Sequence, residues 1–370
     1  MKVALVAGAR PNFMKVAPLM RAIEKYNASF GRSFIVPTLV HTGQHYDYEM
    51  SKIFFEDLGL PEPDIYLGVG SGTHAKQTGR VMTRLEKVLV NEKTDLVIVV
   101  GDVNSTLAGA LTAVKLCIPV AHVEAGLRSF DRSMPEEINR LLTDAISDYL
   151  FTPSPDADEN LRREGIPREK IFLVGDIMVD SLLYYKPKAE GSQVLEKLDL
   201  AERDYALLTL HRPSNVDEKE SLLRIIKALS KIAERIRIVF PAHPRTRKNI
   251  IKFNLSSFFE DQRILLIEPL GYLDFLKLEM NAKFVMTDSG GIQEETTVLN
   301  IPCLTLRDTT ERPITLTQGT NTLVWNDTPK IIAEATKILE GKVKQGICPE
   351  YWDGKTAERV VSIISGEEKG

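Results

Sequence analysis

The chain has 370 residues, 43% hydrophobic and 26% charged, with 23 Gly and 19 Pro. That balance excludes fibrous and disordered classes, and the length corresponds to two domains or one large α/β domain, either able to bury a sizeable core. Forty-seven Lys and Arg against 51 Asp and Glu leave a net charge of -4, without the basic excess of a protein that neutralises a phosphate polymer, so nucleic acid is not expected as the main ligand.

From the N-terminus onward, a short β-branched apolar run, a polar turn and an amphipathic stretch of helical length alternate, the signature of parallel βαβ units. The opening run, MKVALVAGARPNFMK, is broken by Arg10 and Lys15 and lacks the apolar core of a signal peptide. No stretch approaches the ~20 apolar residues of a bilayer span, so a soluble cytoplasmic protein is expected, with no membrane partner. Strands are predicted over 2–7, 34–40, 95–100, 120–123 and 149–152 in the first half. In the second half they are predicted over 206–210, 236–240, 264–267, 284–287 and 303–306. Apolar on both faces, such strands fit a sheet covered by helices on each side. Helices are predicted between them, as over 104–116 and 222–233, with a last amphipathic piece over 356–364. Pro187 and Gly191 interrupt the periodicity of YYKPKAEGSQ. The domain boundary is placed just before it, giving 1–174 and 175–353, with 354–370 returning to the first domain. Cys117, Cys303 and Cys348 form no C-x-x-C pair, so neither a disulfide framework nor a structural zinc site is expected. They read as separate, mostly buried thiols.

Ligands of open parallel sheets bind outside the carboxyl ends of the strands. Arg10 follows the first strand, Asp102 follows DLVIVV, and Glu124 to Arg128 follow PVAHV. In the second half His211 and Arg212 follow YALLTL, His243 follows IRIVFPA, and Asp288 to Gly291 follow AKFVMT. Acidic residues thus gather at strand ends of the first half, and Ser/Gly, His and Arg at those of the second. A cleft between two facing sheets would bring the sets together.

In TDSGGIQEE, Ser289, Gly290 and Gly291 sit between a strand and a helix. Bare N–H groups there suit a phosphate or diphosphate, and Glu295, one turn in, can accept from a ribose. A tight turn capped by its own serine explains the glycines equally well. Two nucleotide motifs fail: GVGSGTH has Thr73 where G-x-G-x-x-G needs its third glycine, and GKT at 354–356 has Pro349 at the leading position of a P-loop. Neither NAD nor ATP is expected as a cofactor, and no metal.

Asp102, Glu124 and Glu136 form the acidic group. Singly, Asp102 reads as an N-cap and Glu136 or Glu137 as a charge on a helix macrodipole. Together at one rim they would repel, so the group calls for nearby cations or a task. Arg10, Lys15, Arg128 and Arg140 are the candidate cations.

Assembled in order, GARPNFMKVAP, GDVNST, HVEAGLRS, PEEINR, LHRPSN, DSGGIQEE and RDTTERP resemble the non-hydrolysing UDP-N-acetylglucosamine 2-epimerases. The resemblance runs from residue 8 to residue 313 and includes the final helix, and the last two motifs together are specific. It implies a glycosyltransferase-B type α/β architecture: two Rossmann-like domains with parallel sheets facing each other across a cleft. It also implies interconversion of UDP-N-acetylglucosamine and UDP-N-acetylmannosamine without an added cofactor. UDP leaves C1 as a base removes the C2 proton, giving 2-acetamidoglucal, and re-adds with protonation on the opposite face. By motif match Asp102, Glu124 and Glu136 form the carboxylate cluster, with Glu124 or Asp102 as base. Arg10, His211, His243 and the Ser289–Gly291 backbone would receive the diphosphate, and Lys15 and Arg140 would support the site. Phe275 matches the uracil-packing aromatic and Glu295 the ribose-binding acid. A homodimer is implied, as is a place in polysaccharide biosynthesis.

The surroundings of His211 depart from regulated relatives, which carry two arginines and a glutamate where this chain has Arg212, Pro213 and Ser214. Gln44, Arg212 and His243 are what would remain of an activator site. HTGQHYDYEM, FFEDLGLPEPD and LGVGSG also resemble relatives that epimerise UDP-2,3-diacetamido-2,3-dideoxy-glucuronate. A UDP-sugar glycosyltransferase, permitted by the same fold, is the reading from another class.

Overall fold

The computed structural model describes residues 1–8, 10–31, 34–44, 59 and 62–367; of Arg10 it describes the backbone alone. The chain divides into two compact units, Met1–Leu183 with Glu350–Gly370, and Tyr184–Pro349. In the first, β1 (Lys2–Ala7), β2 (Val36–His41), β3 (Ile65–Tyr66), β4 (Leu96–Val100), β5 (Val120–Val123), β6 (Tyr149–Thr152) and β7 (Ile171–Leu173) form one sheet. Its order is β3-β2-β1-β4-β5-β6-β7, and every pairing is parallel. In the second, β8 (Tyr205–Thr209), β9 (Arg237–Pro241), β10 (Ile264–Ile267), β11 (Phe284–Thr287), β12 (Cys303–Thr305) and β13 (Asn321–Leu323) run in the order β10-β9-β8-β11-β12-β13. These pairs too are parallel. Each sheet therefore reverses its winding once, between β1 and β4 and between β8 and β11, where doubly wound sheets open a crevice at the strand ends.

Composition explains the layers. All five residues of β4, LVIVV, are buried, which a strand covered on both faces requires. The helix Asn104–Lys115 is rich in small residues, and a Cβ at Gly109 would lie 3.1 Å from Val99 Cγ1, so glycine lets the helix settle on the sheet. In the second unit the helix Lys219–Ala233 buries Leu222, Ile225, Ile226, Leu229 and Ile232 at helical spacing. They join Ala206 and Leu208 of β8 and Ile238 and Phe240 of β9 in one core.

Five predicted strands, β1, β5, β6, β10 and β11, match residue for residue, and the others shift by one or two positions. The strands β3, β7 and β13 escaped the sequence pattern. They are two or three residues long and lie at sheet edges, where no extended apolar run is needed. Pro187 does not break its segment: Ile177–Glu190 is one helix with Pro187 in its last turn, where losing one N–H costs a single bond to the carbonyl four residues earlier. The sequence-derived division at 174/175 precedes this helix, and the two units part within it, between Leu183 and Tyr184.

The terminal helix Thr356–Ser365 packs on the helix Arg10–Ser29 of the first unit. Asp180 accepts from the N–H groups of Thr356 and Ala357 at 3.1 and 2.8 Å, and the Trp352 indole donates to the Pro153 carbonyl at 2.9 Å. Of the cysteines only Cys303 is buried. Cys117 and Cys348 are exposed, contrary to the expectation of mostly buried thiols, because Cys117 occupies a left-handed turn after a helix (φ 56°) and Cys348 lies in a segment without regular structure. Among the described residues no helix is long and apolar enough to cross a membrane.

Candidate active site

In the first unit β4 lies between β1 and β5, so residues following these three strands meet at one edge. Glu124, just past β5, takes a left-handed conformation (φ 72°) and is buried. Its Oε2 is held by Lys15 Nζ from the helix after β1. Lys15 is therefore a buried ion-pair partner rather than a surface lysine. Gly101 makes the room, since a Cβ there would lie 2.9 Å from Lys15 Nζ and 3.3 Å from Glu124 Oε2. Asp102 does not cap the following helix, whose cap position is Val103. Its Oδ2 receives Arg140 Nη1 at 2.5 Å and its carbonyl receives Asn139 Nδ2 at 2.9 Å, leaving a third of the side chain exposed.

The adjacent glutamates divide. Glu137 is buried and accepts from Ser129 N and Oγ, both at 3.0 Å, from Phe130 N at 2.9 Å, and from Arg140 Nη2 at 2.5 Å. Burial opposes its ionisation, but the Ser129 and Arg140 bonds outweigh it and hold its pKa below the usual carboxylate range. Glu136 is partly exposed and has no hydrogen-bond or ion-pair partner among the described residues. Arg140 thus bridges Asp102 to Glu137, which fastens the preceding loop. Of the other candidate cations, Arg128 serves the scaffold, pairing with Asp144 at 2.7 Å and Glu164 at 2.6 Å. The Arg10 side chain lies outside the described residues.

Sequence reasoning missed the support beneath this edge. The His122 ring, fully buried in β5, donates from Nε2 to the Gly101 carbonyl at 2.8 Å and meets Asp144 Oδ1 at 2.6 Å through Nδ1. Asp144 also accepts from Gly126 N at 3.0 Å. Burial works against its charge, but His122 and Arg128 prevail and its pKa is lowered. A polar residue inside an otherwise apolar strand was the available signal. Gln44, also buried, accepts on Oε1 from Ser105 N at 3.1 Å and Ser105 Oγ at 2.7 Å.

In the second unit, β8 and β11 are neighbours, so His211 and Asp288 meet where they end. Buried Asp288 accepts from His211 N, from Arg212 N at 2.9 Å and from Asn215 Nδ2 at 3.0 Å. Its Oδ1 lies 2.8 Å from His211 Nδ1. Burial would raise the Asp288 pKa, but these donors lower it. Fixed through Nδ1, the half-exposed His211 keeps Nε2 for other work.

Ser289 precedes the helix Gly290–Val298, but its side chain makes no capping bond and the first turn holds no acid. A Cβ on Gly290 would lie 2.6 Å from Arg312 Nη1, so glycine is required by the buried network beneath. There Glu311 accepts from Arg307 at 2.6 Å and from Arg312, which also binds Glu294. Arg212 lies 3.8 Å from Glu311. Burial disfavours the Glu311 charge, yet Arg312 and Arg307 hold its pKa far below the usual range. His243 is exposed, accepts from Arg245 N at 3.2 Å and has its pKa lowered by partial burial and by the neighbouring His211. Phe275 is partly buried against the core around Leu207, Val239 and Leu278. Glu295 is buried and accepts from the Tyr272 hydroxyl at 2.8 Å.

Residues 31–365 match the family described as UDP-N-acetylglucosamine 2-epimerase. A UDP-N-acetylglucosamine 2-epimerase of Methanocaldococcus jannaschii is 48% identical over 371 residues, covering 99% of each chain. A UDP-2,3-diacetamido-2,3-dideoxy-D-glucuronate 2-epimerase of Pseudomonas aeruginosa is 42% identical, again over 99% of each chain. The crystal structure of the M. jannaschii UDP-GlcNAc 2-epimerase in complex with UDP-GlcNAc and UDP aligns with a TM-score of 0.89 at 49% identity, covering 99% of both chains. With the strand-end chemistry of both sheets, these likenesses establish that the chain belongs to the UDP-N-acetylglucosamine 2-epimerase family.

Proposed function

We propose that the protein interconverts UDP-N-acetylglucosamine and UDP-N-acetylmannosamine by eliminating UDP to 2-acetamidoglucal and re-adding it with inversion at C2. The observation that carries this reading is the acidic edge of the first unit: Asp102 on Arg140, Glu124 on Lys15, and Glu136 without a partner among the described residues. A carboxylate removes a proton from C2 only when C–O cleavage at C1 has put positive charge on the ring. Inversion needs proton donors and acceptors on both faces, so Asp102 and Glu124 divide the base and acid roles while Glu136 supports the cationic ring. Lys15 and Arg140 hold Glu124 and Asp102 in place.

The second unit takes the nucleotide. The N–H groups of Gly290 and Gly291 and the positive helix end, with the Ser289 turn held by its bond to Thr287 Oγ1, receive the diphosphate. His211, steadied by Asp288, donates from Nε2 to the leaving oxygen, Arg10 adds charge, and His243 supplies a ring N–H. Phe275 packs on uracil and Glu295 accepts from the ribose. The overall reaction changes no oxidation state, so it needs no redox partner. Gln44, whose Oε1 is taken by Ser105, and Arg212, which lies by Glu311, are the residues that would meet an activating second substrate molecule. The reading extends to a cytoplasmic homodimer supplying polysaccharide biosynthesis, the dimer being checked by light scattering on the eluted protein.

The test is proton NMR with UDP-N-acetylglucosamine in D2O. Deuterium entering C2 while the manno epimer appears supports the reading. The P. aeruginosa relative supports a second substrate, UDP-2,3-diacetamido-2,3-dideoxy-glucuronate. Exchange with that sugar alone moves the assignment to it, and exchange with neither removes the epimerase reading.

A further inference from the structure

The helices Tyr272–Asn281 and Gly290–Val298 bring together three polar groups, two buried acids and a partly buried tyrosine. Tyr272 and Glu279, seven residues apart, share one face of the first helix, and Glu295 meets them from the second. Glu279 is completely buried and Glu295 nearly so. The Tyr272 hydroxyl donates to Glu295 Oε1. The Glu279 carboxyl reaches the Glu295 carboxyl, and neither of its oxygens receives an N–H or O–H bond from the described residues. The nearby Tyr205 hydroxyl is spent on the Leu278 carbonyl at 2.6 Å. No Lys or Arg among the described residues acts on either acid.

Two ionised carboxylates in contact, dry and without a cation, are not a stable arrangement; one proton must lie between them. Its place follows from the donors. Glu295 accepts from Tyr272, which favours its anion, whereas Glu279 has no donor and can satisfy the pair only by supplying one. We propose that Glu279 is a neutral acid whose O–H donates to Glu295, and that it acts as the positioning residue presenting Glu295 as a single fixed carboxylate to the ribose hydroxyls of UDP. In agreement, burial and the Glu295 charge push the Glu279 pKa well above the ordinary range. Burial raises Glu295 too, opposed by the bonds from Glu279 and Tyr272. The inference rests on the reading of Glu295 as the ribose-binding acid. Because the carboxylate is buried, its unused lone pairs demand donors, and a vicinal diol supplies two.

The test is calorimetric titration of the full chain with UDP and with 2′,3′-dideoxy-UDP, joined to infrared spectra of the neutral carboxyl stretch. In Glu279→Gln an amide N–H replaces the acid O–H, so UDP affinity is retained while the neutral carboxyl band disappears. Glu279→Leu weakens UDP by about tenfold and raises KM for the UDP-sugar equally, leaving kcat within about twofold and dideoxy-UDP affinity unchanged. Equal affinity of Glu279→Leu and wild type for UDP, an equal loss for UDP and dideoxy-UDP, or a neutral carboxyl band persisting in Glu279→Gln overturns the proposal. Should the leucine variant not fold, the band and the UDP affinity of Glu279→Gln decide it. Glu295→Ala separates the two readings: undiminished UDP affinity there sinks the ribose assignment itself. A weakened Glu295→Ala beside an unaffected Glu279→Leu sinks only the role of Glu279.

Discussion

The acidic edge of the first unit and the acid pair of the second hold the same kind of side chain among opposite kinds of neighbour. Asp102, Glu124 and Glu137 each contact a cation, Arg140 or Lys15. Glu279 and Glu295 contact each other and a tyrosine. Burial alone raises a carboxyl pKa; at Glu137 the bonds from Ser129 and Arg140 outweigh it, whereas at Glu279 the neighbouring Glu295 adds to it. The first arrangement suits proton transfer and support of a cationic sugar. The second suits fixed recognition of hydroxyls.

The largest expected effect comes from removing the charge at the first edge. Asp102→Asn and Glu124→Gln are each expected to lower turnover by about 10³-fold or more, while calorimetry shows UDP bound as before, because the nucleotide is assigned to the second unit. Retained turnover in both variants would dissolve the contrast drawn between the regions. Next comes Lys15→Met, which removes the buried ammonium held against Glu124 Oε2. A loss of about 3 kcal/mol in urea unfolding is expected, and an unchanged unfolding midpoint would show that the pair is not what holds Glu124.

The neighbouring glutamates sharpen the comparison within one helix. Glu137→Ala should destabilise the fold by about 3 kcal/mol, because Arg140 and the 129–130 loop lose their shared acceptor. Glu136→Gln should leave the melting temperature in place and slow turnover. A reversed pattern would exchange their roles.

The smallest effect concerns pH. The lowered pKa values of Glu137, Asp144 and Glu311 mean that the unfolded chain binds protons more readily at these sites. Their stabilisation is complete above the unfolded pKa of about 4 and is lost as pH falls through the lowered values. For Glu279 and Glu295, raised above the unfolded value, the sign reverses: their contribution is complete below about pH 4 and is lost as pH rises through the raised values. Unfolding free energy measured across pH should therefore decline on the acid side in the wild type and less steeply in Glu137→Gln. Glu279→Gln should flatten only the opposite limb. Identical profiles would mean that the two regions do not differ in charge state.

Much of the architecture was legible because parallel strands covered on both faces must be continuously apolar, and β4 and β5 read that way. The edge strands and the continuous helix through Pro187 were not, since two or three residues carry no period and a proline in a last turn removes only one bond. At the site, Asp102, Glu124, His211 and Glu295 could be picked out by their positions after strands. Asp144 and Glu279 could not, for their significance lies in partners 22 residues away or on another helix, and His122 showed itself only as a polar residue inside an apolar strand.

The amino-acid order alone determined which residues follow strand ends, because chain position sets that directly, and its motifs carried the family. Only the tertiary structure decided which of Glu136 and Glu137 is spent on the scaffold, that Lys15 is buried, and that Glu279 meets Glu295. The reason is physical: a carboxyl group's charge is set by the donors, cations and water within a few ångströms, and packing, not sequence proximity, chooses those neighbours.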